Sequence, residues 1–364
     1  MEALQSLLKF AINMGASDIH IKPGRHANIR VASELHPVQE VLPSNEQVQQ
    51  MVEHMLPRHL VARLEREKEV DFSYVAENLG RFRVNVFQQR GQLCIAMRYV
   101  KQHIPSFDEL HLPPQLTKVA TAERGIILVT GATGCGKSST MAAILNHVNH
   151  TQKCHVITLE DPIEYIFADE LSIIEQREVG LDTLSFERAL AHVMRQDPDV
   201  IMIGEMRDSQ SFMAALAASD TGHLVISTLH TTTAYQAVGR VLDFFPAQER
   251  DQIRRQLAVN LHAVICQRLV PAIGGGVVPA VEILLSSPTV RKLMEENRLD
   301  KLFAAIETGT DEGMQTFNQS LLKLVKAKLI TEENAFAQAS NPEALRMNLR
   351  GIFLDESRRI LSSA

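Results

Sequence analysis

The stretch GIILVTGATGCGKSST (residues 125–140) begins as an apolar, strand-like run and ends in ten positions holding three glycines, one lysine and four hydroxyl side chains. Its frame is G-x-x-x-x-G-K-S, on Gly131, Gly136, Lys137 and Ser138, with the helical pattern STMAAILNHVNH following. A strand before and a helix after are the context that a phosphate-binding loop requires. Glycines let backbone N–H groups turn inward around phosphate oxygens, and the helix start adds a favourable dipole. Gly131, Ala132, Thr133, Gly134, Cys135, Gly136, Lys137, Ser138 and Ser139 are therefore the candidate cradle for ATP. Within it, Lys137 is placed to reach the β- and γ-phosphates and the Ser138 hydroxyl to ligate Mg2+. The competing reading is a glycine-rich turn that merely carries a lysine, and the strand–helix context weighs against it. Cys135 reads more simply as a small residue tolerated in the loop than as an oxidation-sensitive thiol.

Outward from this loop, the apolar runs GIILVT, CHVITL, DVIMIG and HLVIST alternate with helical stretches. Strands that are apolar on both faces and separated by helices imply a parallel sheet covered on both sides, an α/β fold. From about residue 288 the pattern is wholly helical, through SPTVRKLMEENR, DKLFAAI, MQTFNQSLLKLVKAKL, TEENAFAQA and PEALRMNLRGIF. The first hundred residues differ. DIHIK, ANIRV, VDFSYV, GRFRVNVF and GQLCIAMRYV alternate like half-buried strands, and Ser44 with Gln47 forms a capping box at the head of an amphipathic helix. The spacing of Leu4, Leu7, Leu8, Ala11 and Ile12 predicts another amphipathic helix, not a signal peptide. This is a small α+β domain over 1–100. A proline-bearing linker follows at 101–117, and the larger domain occupies 118–364.

Composition narrows the function. With 45% apolar and 22% charged residues, the 364-residue chain has the balance of a globular protein, and no apolar run reaches the length of a membrane span. A net charge of -6, 5% aromatics and no tryptophan give little support to a nucleic-acid motor with a basic, aromatic-lined pore. The four cysteines are scattered, without a CxxC pair, so neither a zinc site nor a disulfide framework is expected and a reducing cytosol fits best.

Three further stretches carry candidate chemistry. VITLEDPIEY ends a strand in Glu160, Asp161 and Glu164, where the carboxyl ends of parallel strands place ligands and where carboxylates can hold Mg2+. DPDVIMIGEMRD has Gly204 where an aspartate usually closes the strand, leaving Glu205 as the candidate general base for the attacking water; an N-capping role for Glu205 is the alternative. TGHLVISTLHTTTA brackets one strand with His223 and His230, whose side chains leave opposite faces and cannot jointly grip one metal ion without a bend. In the first domain, Arg81 and Arg83 share one face of GRFRVNVF: either a solvated strand face or arginines presented to a nucleotide on a neighbouring subunit.

Together GATGCGKSS, VITLEDPIEY, QREVGLDTLSFERALAHVMRQDPDVIMIGEMRD and TGHLVISTLHTTTA resemble the Walker A, Asp box, Walker B and His box of secretion-superfamily ATPases. With GASDIHI, VDFS, RFRVNVFQQRG, GMQTFNQSLLKL and GIFLDESRR, the resemblance narrows to type IV pilus retraction ATPases, the PilT-like twitching motility family, over nearly the whole chain. It implies a PAS-like first domain, a RecA-like ATPase domain and a homohexameric ring. Bound ATP and Mg2+ would lie between the two domains and an arginine-bearing neighbour. By motif position, Lys137 binds phosphate, Glu164 assists Mg2+, Glu205 is the catalytic glutamate, and His223 and His230 are the His-box pair. Arg81, Arg83 and Arg98 become the arginines that reach the nucleotide. The expected location is the cytoplasm, peripheral to the inner membrane without crossing it. Expected partners are a pilus platform protein and a paralogous retraction ATPase, with no nucleic acid. One departure stands out: TVRKLMEEN replaces the family's AIRNLIRE, so a principal motor and an accessory paralogue both fit. RLVPAIGGGVVPAVEIL lacks the four-cysteine insert of assembly and type II secretion ATPases, which favours a retraction motor.

Overall fold

The structure, a computed structural model, describes residues 2–31, 34–100 and 103–352. The end of GIFLDESRR, at 353–359, and the first two positions of the 101–117 linker lie outside the described residues. The chain forms two compact units. The first takes Met1–His103 with two short returns, Asp161–Ile166 and Glu178–Asp182; the second takes Ile104–Glu160, Phe167–Arg177 and Thr183–Ala364.

In the first unit the strands are β1 (Asp18–Ile21), β2 (Ala27–Val31), β3 (Glu34–Val38), β4 (Glu69–Ala76), β5 (Gly80–Gln89) and β6 (Gln92–Tyr99). They form one antiparallel sheet in the order β3-β2-β1-β6-β5-β4. Helices α1 (Glu2–Asn13), α2 (Asn45–Met55) and α3 (Val61–Glu67) accompany it. The predicted stripe of α1 is buried at Leu4, Leu7, Leu8 and Ala11, in one core with Val48, Met51 and Val52 of α2 and the inward Phe82, Val84, Val86, Ile95 and Met97. The Ser44–Gln47 capping box is present in both directions, 2.8 and 3.3 Å. Along the other face of the sheet, Ser73, Arg83, Arg98, Asp18 and Arg30 lie directly opposite one another in consecutive strands.

The second unit carries β7 (Gly125–Gly131), β8 (His155–Glu160), β9 (Ile173–Glu178), β10 (Val200–Ile203), β11 (Leu224–Leu229), β12 (Leu261–Pro271) and β13 (Val277–Leu285), in the order β13-β12-β7-β11-β10-β8-β9. Strands β12, β7, β11, β10 and β8 are mutually parallel, and β13 returns antiparallel to β12. Helices α4 (Gln115–Ala120), α5 (Lys137–Thr151), α6 (Phe186–Val193), α7 (Ser209–Asp220), α8 (Ala234–Leu242) and α9 (Arg250–Asn260) join the strands. Every residue of β7 is buried, with Ile126 and Leu128 in one core and Ile127 and Val129 in another, so the sheet is covered on both faces as the unbroken apolar runs required. Ile144, Leu145 and Val148 pin α5 to the sheet, each removed from water at about 1.5–3 kcal/mol. The helical tail comprises α10 (Pro288–Glu295), α11 (Leu302–Thr308), α12 (Phe317–Lys326), α13 (Glu332–Gln338) and α14 (Pro342–Leu349). Among the described residues no helix is long and apolar enough to cross a membrane.

Candidate active site

Parallel strands deliver their C-terminal ends to one edge of the sheet, and the candidates of the second unit gather there in strand order. The glycine loop follows β7, His230 follows β11, Glu205 lies two residues past β10, and Glu160 closes β8. Gly131, Gly134 and Gly136 hold φ angles of 142°, 80° and 91°, a region that residues with a Cβ rarely enter. At Gly131 the need is absolute, because a Cβ there would lie 2.4 Å from Cys135 Sγ and 2.7 Å from the Gln267 carbonyl oxygen. The Lys137 ammonium donates to the carbonyls of Gly131 and Ala132, at 3.0 and 3.1 Å. A cationic group held against a glycine cradle at a helix start matches the demands of a triphosphate. Cys135 is buried, and burial pushes its thiol up despite the Lys137 charge, so it packs the loop as an inert sulfur.

Glu205 sits between two nitrogen partners. Arg207 Nη2 donates to its Oε2 at 2.7 Å, and His230 Nε2 lies 3.0 Å from its Oε1. Burial alone would raise the Glu205 carboxyl, but the Arg207 hydrogen bond and the charges of Arg207 and His230 outweigh it and hold the group below its ordinary value. The capping alternative fails: the N-cap of α7 is Asp208, whose side chain accepts the Ser211 amide at 2.8 Å. That leaves Glu205 available for chemistry. Glu160 is 7% exposed and accepts from the Thr158 hydroxyl at 2.6 Å and from Gln176 at 3.1 Å. Behind the loop, Gln267 of β12 donates to the Thr140 hydroxyl on α5 at 2.9 Å. Sequence reasoning missed both Gln267 and Arg207.

His223 is not brought to this edge. It precedes β11 and sits at the opposite end of the strand, where Nδ1 lies 2.9 Å from the Ala218 carbonyl and 3.1 Å from the Thr221 hydroxyl. Seven residues of extended chain separate the histidines by about 23 Å. His223 thus stands at the far end of β11 from the glycine loop, Glu205 and His230.

In the first unit, Arg81 and Arg83 share a strand face yet meet different fates. Arg81 donates to buried Glu178 at 2.8 Å; the same carboxylate takes the Ser73 hydroxyl at 2.7 Å and the Ile163 amide at 3.1 Å. Arg83 stays exposed beside Arg98, which pairs with Asp18 at 2.8 Å. Both arginines line a cleft of about 270 Å³ with Tyr99, Pro162, Glu164 and Tyr165. Each guanidinium already faces a carboxylate of its own sheet, Arg83 with Asp71 at 4.0 Å and Arg98 with Asp18. Arg81 is committed to Glu178 and is not a third member of this pair.

A phosphate-binding loop on a central parallel strand, with a carboxylate and a histidine at the adjoining strand ends, defines a RecA-like P-loop ATPase. The family model described as "Type II/IV secretion system protein" matches residues 1–350, and the chain belongs to that family. It is similar to the type IV pilus retraction ATPase PilT of Pseudomonas aeruginosa, 39% identical over 340 residues covering 93% of this chain and 99% of the relative. It is also similar to a twitching motility protein of Neisseria gonorrhoeae, 42% identical over 318 residues covering 87% and 85%. A crystal structure of the pilus retraction motor PilT with bound ADP superposes with a TM-score of 0.87 at 41% identity, covering 93% of this chain and 97% of that one.

Proposed function

We propose that this chain hydrolyses ATP as a subunit of a homohexameric motor that retracts a type IV pilus, acting on a platform protein at the cytoplasmic face of the inner membrane. The observation that carries the reading is the convergence of Lys137, His230 and Glu205 at one sheet edge, in a chain similar over its length to retraction ATPases. Loop amides and Lys137 bind and orient the phosphates. Lys137 would exchange its bonds to Gly131 and Ala132 for phosphate oxygens, a gain because the anionic acceptor adds charge–charge attraction to the hydrogen bond. Glu205, ionised because its carboxyl is held low, orients water and accepts its proton. Arg207 and His230 keep that carboxylate in place until substrate arrives.

Ser138 and Glu160 would hold Mg2+, which when bound offsets phosphate charge; Glu164 belongs to the first unit. In a ring, Arg83 and Arg98 present paired guanidinium groups to the nucleotide of an adjacent subunit, and their charge stabilises the departing phosphoryl group. Turnover then drives rotation of one domain against the other.

Steady-state ATPase assays with Lys137→Ala and Glu205→Ala test the chemistry: either variant turning over at the unmutated rate removes that residue from its role. Complementation of twitching in a strain lacking its retraction ATPase tests the task. An active ATPase that restores no twitching would overturn the pilus reading while leaving the enzyme intact.

A further inference from the structure

After His230 the chain passes through Thr231, Thr232 and Thr233 into α8, and three side chains of the β12–β13 hairpin hold that turn. The Cys266 thiol donates to the Thr231 carbonyl at 3.6 Å, Arg268 Nη2 donates to the Thr232 carbonyl at 3.2 Å, and Glu282 Oε1 accepts the Ala234 amide at 2.7 Å. Cys266 and Glu282 are directly opposite in the hairpin. Side chains alternate along a strand. Cys266 and Arg268 therefore serve the turn, while Gln267 between them serves the nucleotide loop through Thr140.

Arg268 holds more than the turn. Its Nη1 donates to the Gln338 carbonyl at 2.6 Å and to the Ser340 hydroxyl at 3.3 Å, and its guanidinium carbon lies 3.8 Å from the centre of the Phe317 ring. One planar fork thus joins the turn to the helical tail, a geometry that a single ammonium does not reproduce. His230 is 47% exposed on its side chain, so its position follows its backbone, and its Nε2 stands 3.0 Å from the Glu205 carboxylate. We propose that Arg268 is a positioning residue for ATP hydrolysis, fixing the turn that sets His230 against Glu205. The inference rests on the ATPase reading above. It goes beyond the loop and strand-end residues, because the hydrogen bonds of Arg268 run to Thr232, Gln338 and Ser340.

The test is a double-mutant cycle on the full chain, reading steady-state turnover and the ADP-dependent shift in melting temperature. Arg268→Lys should lower kcat about tenfold while KM for ATP and the ADP shift stay within about twofold of the unmutated protein, the split expected when ground-state binding is untouched. In a His230→Gln background the same substitution should cost nothing further, since contacts acting through one residue are not additive. The acid limb of the kcat profile should also move to higher pH, because His230 helps to hold the Glu205 carboxyl low. Unchanged kcat in Arg268→Lys, or an equal loss in both backgrounds, overturns the proposal. Arg268→Gln is the second variant; loss of the ADP shift in both would assign the guanidinium to folding and overturn it too. Absence of turnover in the unmutated chain would strike the ATPase reading itself, and this proposal with it.

Discussion

Glu282 offers the sharpest physical test of the second unit. It is fully buried on β13, and its Oε1 takes the Ala234 amide at 2.7 Å. Burial pushes its carboxyl from an ordinary 4.5 up to about 7. The Ala234 amide, the Arg268 charge and the Phe317 amide all pull the other way without prevailing. The Cys266 thiol opposite, itself pushed up to about 12 by burial, stays neutral over the range that matters. A carboxyl displaced this far has an ionised form worth about 3 kcal/mol less in the folded chain than in the unfolded one, at about 1.4 kcal/mol per pH unit. The folded state binds the proton more tightly, so the penalty is absent at low pH. It grows as pH rises from about 4.5 and is complete above about 7.

Glu282→Gln removes the ionisation and keeps an acceptor for Ala234. The variant should therefore gain on the unmutated protein as pH rises, by about 2–3 kcal/mol in unfolding free energy between pH 5 and pH 8. The comparison is urea denaturation of the full chain followed by far-ultraviolet circular dichroism, since the sequence has four tyrosines and no tryptophan. The relevant transition is the one that ADP displaces. Any fixed packing difference between the two side chains adds a constant and leaves the slope alone. Parallel stability profiles, or a difference that widens towards acid, would refute the reasoning.

Two other expectations follow from contacts already given. Gly131→Ala places a methyl 2.4 Å from Cys135 Sγ and 2.7 Å from the Gln267 carbonyl; it should cost about 2–3 kcal/mol of stability and abolish the ADP-induced melting shift, and a variant that binds ADP normally would contradict the cradle geometry. His223→Gln should leave ADP affinity within about twofold because the side chain lies at the far end of β11, whereas a large loss measured by isothermal titration would return His223 to the site.

Where the determinants are local, the sequence is enough. The glycine loop, its strand and its helix occupy 27 consecutive residues, Gly125 to Thr151, and each reads from its own composition. The parallel sheet follows from strands apolar on both faces, and the Ser44 capping box from a four-residue pattern. The His-box motif pairs His223 with His230, yet β11 begins after the first histidine and ends before the second, so only His230 stands at its C-terminal edge. Arg81 and Arg83 are indistinguishable by period, because they share a face of β5. What separates them is Glu178, 97 positions away from Arg81, and no local pattern encodes that closure. The returns Asp161–Ile166 and Glu178–Asp182 were hidden for the same reason.

The β12–β13 hairpin shows how a sequence can announce a need without naming what meets it. NLHAVICQRLVP and VVPAVEILL are apolar runs either side of a triple glycine, a hairpin signal by composition. Within those runs Arg268 and Glu282 are the charged interruptions. A charge placed in a buried strand is costly unless it finds hydrogen-bond partners, so each residue demands a partner from elsewhere in the fold. Those partners are the Thr232 carbonyl, 36 positions from Arg268, and the Ala234 amide, 48 positions from Glu282. That both lie in the one turn following His230 is a fact of topology, created when β12 falls into line beside β7 and its hairpin packs over the start of α8. The same charges would have been neutral decoration on an exposed strand. The burial of Glu282 and the partial burial of Arg268, with the turn as their common recipient, tie the stability of this hairpin to the alignment of His230 with Glu205.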